Sequence, residues 1–462
     1  MTEKITKKQP EDVGHQWDSD ASGTSGASMP TPHHPKAQKG GGASASATPG
    51  WRVLAVLSML MGFASISTDL YLPAMPMMSH SLHANEGLVD LTISAYLIGF
   101  SLGQLLWGPI SDRYGRRSSV AIGLVLFVIG SAGCALSGSA LAMIGWRVVQ
   151  ALGACASVAL SRAMVRDLYE GARAAQMLSI LITVMGIAPL VGPLVGGQIV
   201  ALAGWRAIFW TLVGIGIATL AALFTIPETL PVTRRNEESL GRAMARYGQL
   251  LRDRRLLGYA GTGGFFYAGM FAYIAGTPFA YITYYHVPEQ LYGLLFGLGI
   301  IGIMGSNLLN SYLVSRFGYD RMLLAGTIIA AFSAIMVALL ARTGWGGLWG
   351  LVVPLLVFVS ATGFIVANSI TGALDNFPER AGAVSALIGA IQYGSGIIGS
   401  GLVGIFANGT PWPMGWVIAL CGIGSLLSMR LLFPVSGLSG VRYMPARLIC
   451  NEEGKTEACG SL

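Results

Sequence analysis

The sequence predicts an all-α membrane protein whose twelve transmembrane helices form two pseudo-symmetric bundles of six. Three observations carry that expectation. First, the 462 residues are 53% hydrophobic and only 11% charged, with a mean hydropathy of +0.61. Soluble domains carry about 25% charged residues, and a deficit spread over roughly 380 positions means many spans rather than one anchor. Second, twelve apolar runs each reach the roughly 20 residues that a helix needs to cross a bilayer. Third, two segments of the first half echo in the second.

Residues 1–50 come first. They are rich in Ser, Gly, Ala, Lys and Pro and almost free of aliphatic side chains. Such a stretch cannot bury enough apolar surface to fold, and it is too long and mixed in charge for the start of a cleaved signal peptide. It reads as a disordered tail, with His33-His34 as part of its composition rather than a metal site. The spans follow near 51–74, 88–110, 118–137, 141–163, 176–200, 205–227, 257–282, 291–315, 322–341, 348–374, 382–407 and 413–434. They read as helices because barrel strands alternate in polarity and are about half as long. A long loop at 228–256 separates a six-helix bundle over 51–227 from one over 257–434, and 435–462 form a second tail.

Arginine fixes the expected orientation. One set of loops holds Arg113, Arg116, Arg117, Arg162, Arg166, Arg173, the run from Arg234 to Arg255, Arg316, Arg321 and Arg380, whereas the opposite set holds only Arg206 and Arg342. Basic loops stay in the cytoplasm, which puts both termini inside a bacterial inner membrane. The net charge of +7 therefore reads as topology, not as affinity for nucleic acid. Cys134, Cys155, Cys421, Cys450 and Cys459 show no paired spacing, so neither a disulfide framework nor a metal site is expected. His80 and His83 read as loop residues.

The echoes set the two halves in register. Leu105, Leu106, Arg113 and Gly115 return as Leu308, Leu309, Arg316 and Gly318, 203 positions later. Arg173, Ala174, Gly192 and Gly197 return as Arg380, Ala381, Gly399 and Gly404, 207 positions later. Two parallel halves place a substrate site at their interface near mid-membrane. Gly99-x-x-x-Gly103 and the glycine-rich eleventh span are expected to let helix backbones approach closely.

Four motifs resemble the major facilitator superfamily, in its twelve-span drug:proton antiporter branch. The loop Gly108, Asp112, Arg113, Gly115, Arg116, Arg117 looks like G-x-x-x-D-R-x-G-R-R/K, and Arg147, Gln150 and Gly153 look like R-x-x-Q-G with Ala151 in place of the glycine. Gly192-Pro193-Leu-Val-Gly196-Gly197, preceded by Gly186 and Pro189, looks like the exporter motif of span five. The stretches 67–76 and 162–169 resemble the Bcr/CflA group, which includes bicyclomycin and chloramphenicol resistance pumps. The resemblance covers about residues 51–435. It implies the major facilitator fold, proton-driven export without a cofactor and a monomer. It also implies a cytoplasmic latch in which Asp112 meets span eleven and Arg162 is a possible charge partner.

Ionisable residues inside spans cost at least about 2.5–3.5 kcal/mol, which makes each a functional candidate. Asp69 and Arg147 stand out, each about six residues from the outer end of its run, or about 9 Å deep at 1.5 Å per residue. Gln150 lies one turn further along the face of Arg147. Burial favours a protonated acid and a nearby guanidinium an ionised one, so Asp69 is the expected proton carrier. Capping of the helix end before Pro73 is the structural alternative for Asp69, and a polar bridge that for Arg147. With no second acid apparent in the spans, neutral or zwitterionic substrates are expected. Tyr71, Tyr96 and Tyr273 are candidate cavity walls, together with Phe265, Phe266, Tyr267, Phe271 and Tyr281, and Asn307, Asn368 and Gln392 are candidate polar contacts. The leading expectation is a proton-coupled drug exporter. An exporter of a sugar or an amino acid such as cysteine is the second reading. A membrane enzyme is disfavoured because no catalytic constellation is visible.

Overall fold

The computed structural model describes residues 51–432 apart from 170, 236–239, 376, 378 and 379. Both expected tails, with His33-His34, Cys450 and Cys459, lie outside the described residues. Among these, twelve helical stretches are long and apolar enough to cross a membrane, and there is no strand.

The spans are continuous helices except where proline or a local bond intervenes. Span one is α1 (Trp51–Asp69), a 3-10 turn (Leu72–Ala74) and α2 (Met75–Ser81). Pro73 and Pro76 lack the N–H groups that would carry the helix through. The span therefore runs beyond the expected edge at 74, and Asp69 closes α1 deeper in the bundle than expected. Then come α3 (Glu86–Tyr114), α4 (Arg116–Leu136), α5 (Ala140–Leu168), α6 (Gly171–Ala203) and α7 (Trp205–Leu223). The short α8 (Leu240–Leu250) precedes α9 (Arg254–Pro278), which continues as a π turn over Phe279–Tyr284. The second half goes on through α10 (Glu289–Phe317) and α11 (Tyr319–Thr343). Span ten is split at Ala361 into α12 (Gly347–Ser360) and α13 (Thr362–Asp375). The chain then runs through α14 (Ala381–Ile405) and α15 (Trp412–Ser428). Side-chain caps start several helices: Asn85 accepts from Leu88 N at 2.8 Å and Asp253 from Leu256 N at 2.7 Å.

The register expected from the echoes is visible in the helix bounds. Helix α10 begins and ends 203 residues after α3, at 289 against 86 and at 317 against 114. Gly115 and Gly318 take φ of 97° and 78° at the matching junctions, a conformation that strains any residue with a Cβ. Within the first half α3 packs on α5, α4 on α5 and α7, and α1 on α5 and α6. Within the second, α9 packs on α14 and α15, and α11 on α12, α13 and α15. Two seams join the halves, α3 along α14 and α6 along α10.

The second seam is closed at the end away from the basic loops. There a Cβ on Gly293 would run into the backbone of Leu194, and one on Gly197 would stand 2.9 Å from the Glu289 carbonyl. At the basic end a hollow of about 440 Å³ opens among Gln104, Asp112, Arg162, Arg166, Arg246 and Ser385.

Candidate functional site

A cavity of about 170 Å³ lies where the two halves meet, lined by α1, α3, α6, α9, α10, α12, α13 and α14. Its wall carries seven aromatic side chains: Tyr96 and Phe100 from the first half, Tyr267, Phe271, Tyr273, Phe296 and Tyr393 from the second. The Phe100 and Tyr393 rings are 4.4 Å apart across the interface, and Tyr273 stacks on Phe296 at 5.6 Å. Such faces grip planar or amphipathic molecules without demanding one shape.

Asp69 brings the acid to this cavity. It is 5% exposed, and its Oδ1 accepts a hydrogen bond from Thr68 Oγ1 at 3.1 Å. The ion pairs among the described residues all lie at the basic loops, so Asp69 has no cationic partner there.

Arg147 is wholly buried beside it. Its Nη1 donates to the Ser67 carbonyl at 3.0 Å and to Gln150 Oε1 at 2.7 Å, while Gln150 Nε2 donates to Ser131 Oγ at 2.8 Å. The guanidinium lies 4.2 Å from the Tyr71 ring centre and 4.6 Å from that of Tyr96. Its Nε and Nη2 have no hydrogen-bond partner. Arg147 is thus level with the end of α1, as expected, but two rings and a carbonyl hold it rather than the Asp69 carboxylate. Tyr96 touches both systems: its hydroxyl shares a hydrogen bond with Ser67 Oγ at 2.5 Å, and its ring borders the cavity.

Of the expected cavity residues, Tyr96 and Tyr273 line it and four others do not. Tyr71 turns under Arg147, with its hydroxyl 3.3 Å from Thr92 Oγ1. Asn307 is exposed on the outside of α10. Asn368 Nδ2 instead ties α13 to α10 through Asn310 Oδ1 at 2.8 Å. Gln392 is buried against Gly263, one position from Tyr393 and about 100° round the helix from it. Of the further aromatics, Tyr267 and Phe271 face the cavity, Phe265 is exposed, Phe266 packs on Phe358 and Tyr281 on Tyr292.

The basic-loop residues form a network, but one confined to the first half. Asp112 Oδ1 meets Arg116 Nη1 at 2.7 Å, and Arg116 Nε donates to Asp167 Oδ2 at 3.0 Å. Arg117 Nη1 donates to the Ile226 carbonyl at 3.2 Å, and Arg113 lies 5.5 Å from the ring centre of Tyr114. The expected pairing of Asp112 with Arg162 is not formed; Arg162 is exposed at the mouth of the basic hollow, across from Ala383 and Ser385 of α14. The hollow of about 440 Å³ lies between Asp112 and Arg162 of the first half and the start of α14. Gly108 has nothing within 4 Å of a would-be Cβ.

Span five divides similarly. A Cβ on Gly192 would stand 3.2 Å from the Asp69 Cβ, and one on Gly196 would overlap the Leu70 carbonyl. Gly197 faces the start of α10, Pro189 lines the cavity and Pro193 sits inside α6. These small residues press α6 onto the end of α1 at the acid. Gly186 has no such neighbour.

Two acids escaped sequence reasoning. Glu228 accepts from the backbone N of Arg116 at 2.8 Å and of Arg117 at 3.1 Å, capping α4 with a carboxylate as the helix dipole favours. Asp90, near the start of α3, is buried with an unpartnered Oδ1. Its place so near a helix end concealed it, although it lies inside the run at 88–110.

The model of the Major Facilitator Superfamily matches residues 57–400 and, again, 262–442. An uncharacterised MFS-type transporter of Bacillus subtilis, YdgK, is 36% identical over 80% of this chain and 93% of its own. A bicyclomycin resistance protein homolog of Haemophilus influenzae is 30% identical over 82% of this chain and 94% of its own. Among solved structures, the partially occluded inward-open form of the Escherichia coli xylose transporter XylE superposes with a TM-score of 0.65 at 17% identity, over 83% of this chain and 98% of that one.

Proposed function

This chain belongs to the Major Facilitator Superfamily, and from that premise we propose that it is a proton-coupled antiporter exporting drugs or other small amphipathic molecules. It is a transporter rather than an enzyme. Basic loops favour the cytoplasm, which supports reading the end with the 440 Å³ hollow and both termini as cytoplasmic and the tight α6–α10 contact as lying on the outer side. One chain supplies both halves and the whole cavity, which suits a monomer, and the proton gradient replaces a chemical cofactor.

The carrying observation is an acid without a counter-charge in an aromatic cavity at the pseudo-symmetric interface. An isolated carboxylate is costly to bury, so an acid placed here without a counter-charge is a functional candidate. Open to the outside, Asp69 gains a proton as drug leaves. Open to the cytoplasm, it loses the proton as drug enters. Arg147, held by Ser67, Gln150 and two rings, fixes the end of α1 that carries the acid. The similarity to a bicyclomycin resistance protein supports a drug as cargo.

One proton returning across about 100 mV and one pH unit supplies about 2.3 plus 1.4 kcal/mol. That sustains a gradient of several hundredfold for a neutral drug, but about tenfold for a monovalent cation, whose exchange gains nothing from the voltage. Neutral or zwitterionic cargo is therefore favoured. A susceptibility panel in an efflux-deficient host tests the reading, with wild type beside Asp69→Asn and matched metabolite-export assays. Wild type should raise tolerance several-fold and the variant not at all, at equal expression. Export of a sugar or amino acid without any drug phenotype would instead establish a metabolite exporter.

A further inference from the structure

Asp90 sits on the seam where α3 of one half runs along α14 of the other. Contacts recur along it at helical spacing. Gly87 meets Gly404, Ser94 Oγ and Ser400 Oγ share a hydrogen bond at 2.8 Å, and Ser101 Oγ donates to the Ala390 carbonyl at 2.9 Å. These partners are small or neutral and satisfied. Asp90 is none of these things: it is 2% exposed, its Oδ1 has no partner, and its Cβ stands 3.1 Å from a would-be Cβ on Gly404.

The charges around it do not compensate. A hollow of about 20 Å³ beside Asp90 is closed by Phe279, Ala280, Asn408, Thr410 and Met414. The titratable groups near it are Glu86, one turn away on α3, Tyr284 from the π turn and Tyr71 just after α1; α14, α15 and the loop between them contribute none to the hollow. His80 stands on the far side of Glu86, in a neighbouring hollow. A carboxylate on Asp90 lies against apolar walls, with a second acid beside it and no cation among the residues that line the hollow. Nor does the fold require an acid here. The equivalent position in the second half, 203 residues on, is Gly293.

We propose that Asp90 is a second proton-binding site, which takes a proton from the outer solution when the α3–α14 seam closes and returns it to that side when the seam opens. The proton bonds to a carboxylate oxygen and never crosses the membrane. Asp69 drives transport, whereas Asp90 sets the external pH at which the outer gate opens. The closed form binds the extra proton, so acid outside favours closure, and the open-to-closed ratio rises up to about tenfold per pH unit through the transition. This inference rests on the alternating-access reading above, with the basic end inside.

Spin labels on exposed Ser81 and Ile405 report the outer gate by pulsed EPR, in full-length protein in nanodiscs with Cys450 and Cys459 replaced by Ser. At pH 8.5 Asp90→Asn should hold the gate at least tenfold more closed than the parent, and at pH 5 the two should agree. Asp90→Leu, which also carries no charge, should behave alike and guards against a folding defect peculiar to Asn. A parent without pH response, a variant matching the parent at pH 8.5, or an equal shift at both pH values overturns the proposal. Drug export by the parent and by Asp69→Asn is measured in parallel. Failure of the parent to export drug would overturn the functional reading while leaving the gate measurement standing.

Discussion

Arg147 is held on several sides without an acid among its partners. A carbonyl, an amide oxygen and two aromatic faces share its charge. A cation over an aromatic face gains about 0.5–2 kcal/mol, more when desolvated, and a planar guanidinium makes the double stack that an ammonium cannot. Arg147→Lys should therefore lower drug transport by at least about tenfold without loss of expression, as initial rates in proteoliposomes would show. Tyr393 meets Phe100 across the halves and Tyr267 and Phe271 within its own. An aromatic contact is worth about 0.5–1.5 kcal/mol beyond its area, so Tyr393→Ala should weaken binding of aromatic drugs about tenfold and that of aliphatic ones less, read by fluorescence titration. Asp69 and Arg147 were legible because a charge within an apolar run has few innocent explanations. Tyr71 and Gln392 were misassigned because sequence gives a helix's period but not its absolute rotation. For the same reason Tyr393 was missed while its neighbour was chosen.

At the scale of elements, α6 owes its position to missing side chains. Gly196→Val should force α6 off the end of α1 and cost about 1–3 kcal/mol, the usual penalty of overpacking, whereas Gly186→Ala should be neutral or stabilising because nothing lies within reach. Thermal unfolding of the purified variants distinguishes the two. The exporter motif was legible as a string, but which of its glycines touch a neighbour was not. Glu228 illustrates the converse. Its loop was expected only to separate the two bundles, yet its carboxylate caps α4 more than a hundred residues away. Glu228→Gln removes the charge at that N-terminus and should cost about 0.5–2 kcal/mol, measured by the same unfolding assay.

For the whole molecule, the two halves share a scaffold and differ in chemistry. Gly192 packs on Asp69, and its echo Gly399 packs on Ala268. Gly197 meets the start of α10, and its echo Gly404 meets the start of α3. The echoes were enough to find twelve spans, two halves and their register. They did not reveal which ends were shut, because sequence alone does not select between the states of a two-state machine. Among the described residues the two buried acids, Asp69 and Asp90, belong to the first half, and Ala268 and Gly293 take their places in the second. Proton chemistry is thus concentrated on one side of a cavity whose aromatic wall comes mainly from the other. The most direct test is proton flux in proteoliposomes carrying an imposed pH gradient, with a neutral drug such as bicyclomycin added. Wild type should couple drug movement to proton movement in the opposite direction, and Asp69→Asn should show neither above background. Drug accumulation driven by the gradient at wild-type rate in Asp69→Asn would contradict the account.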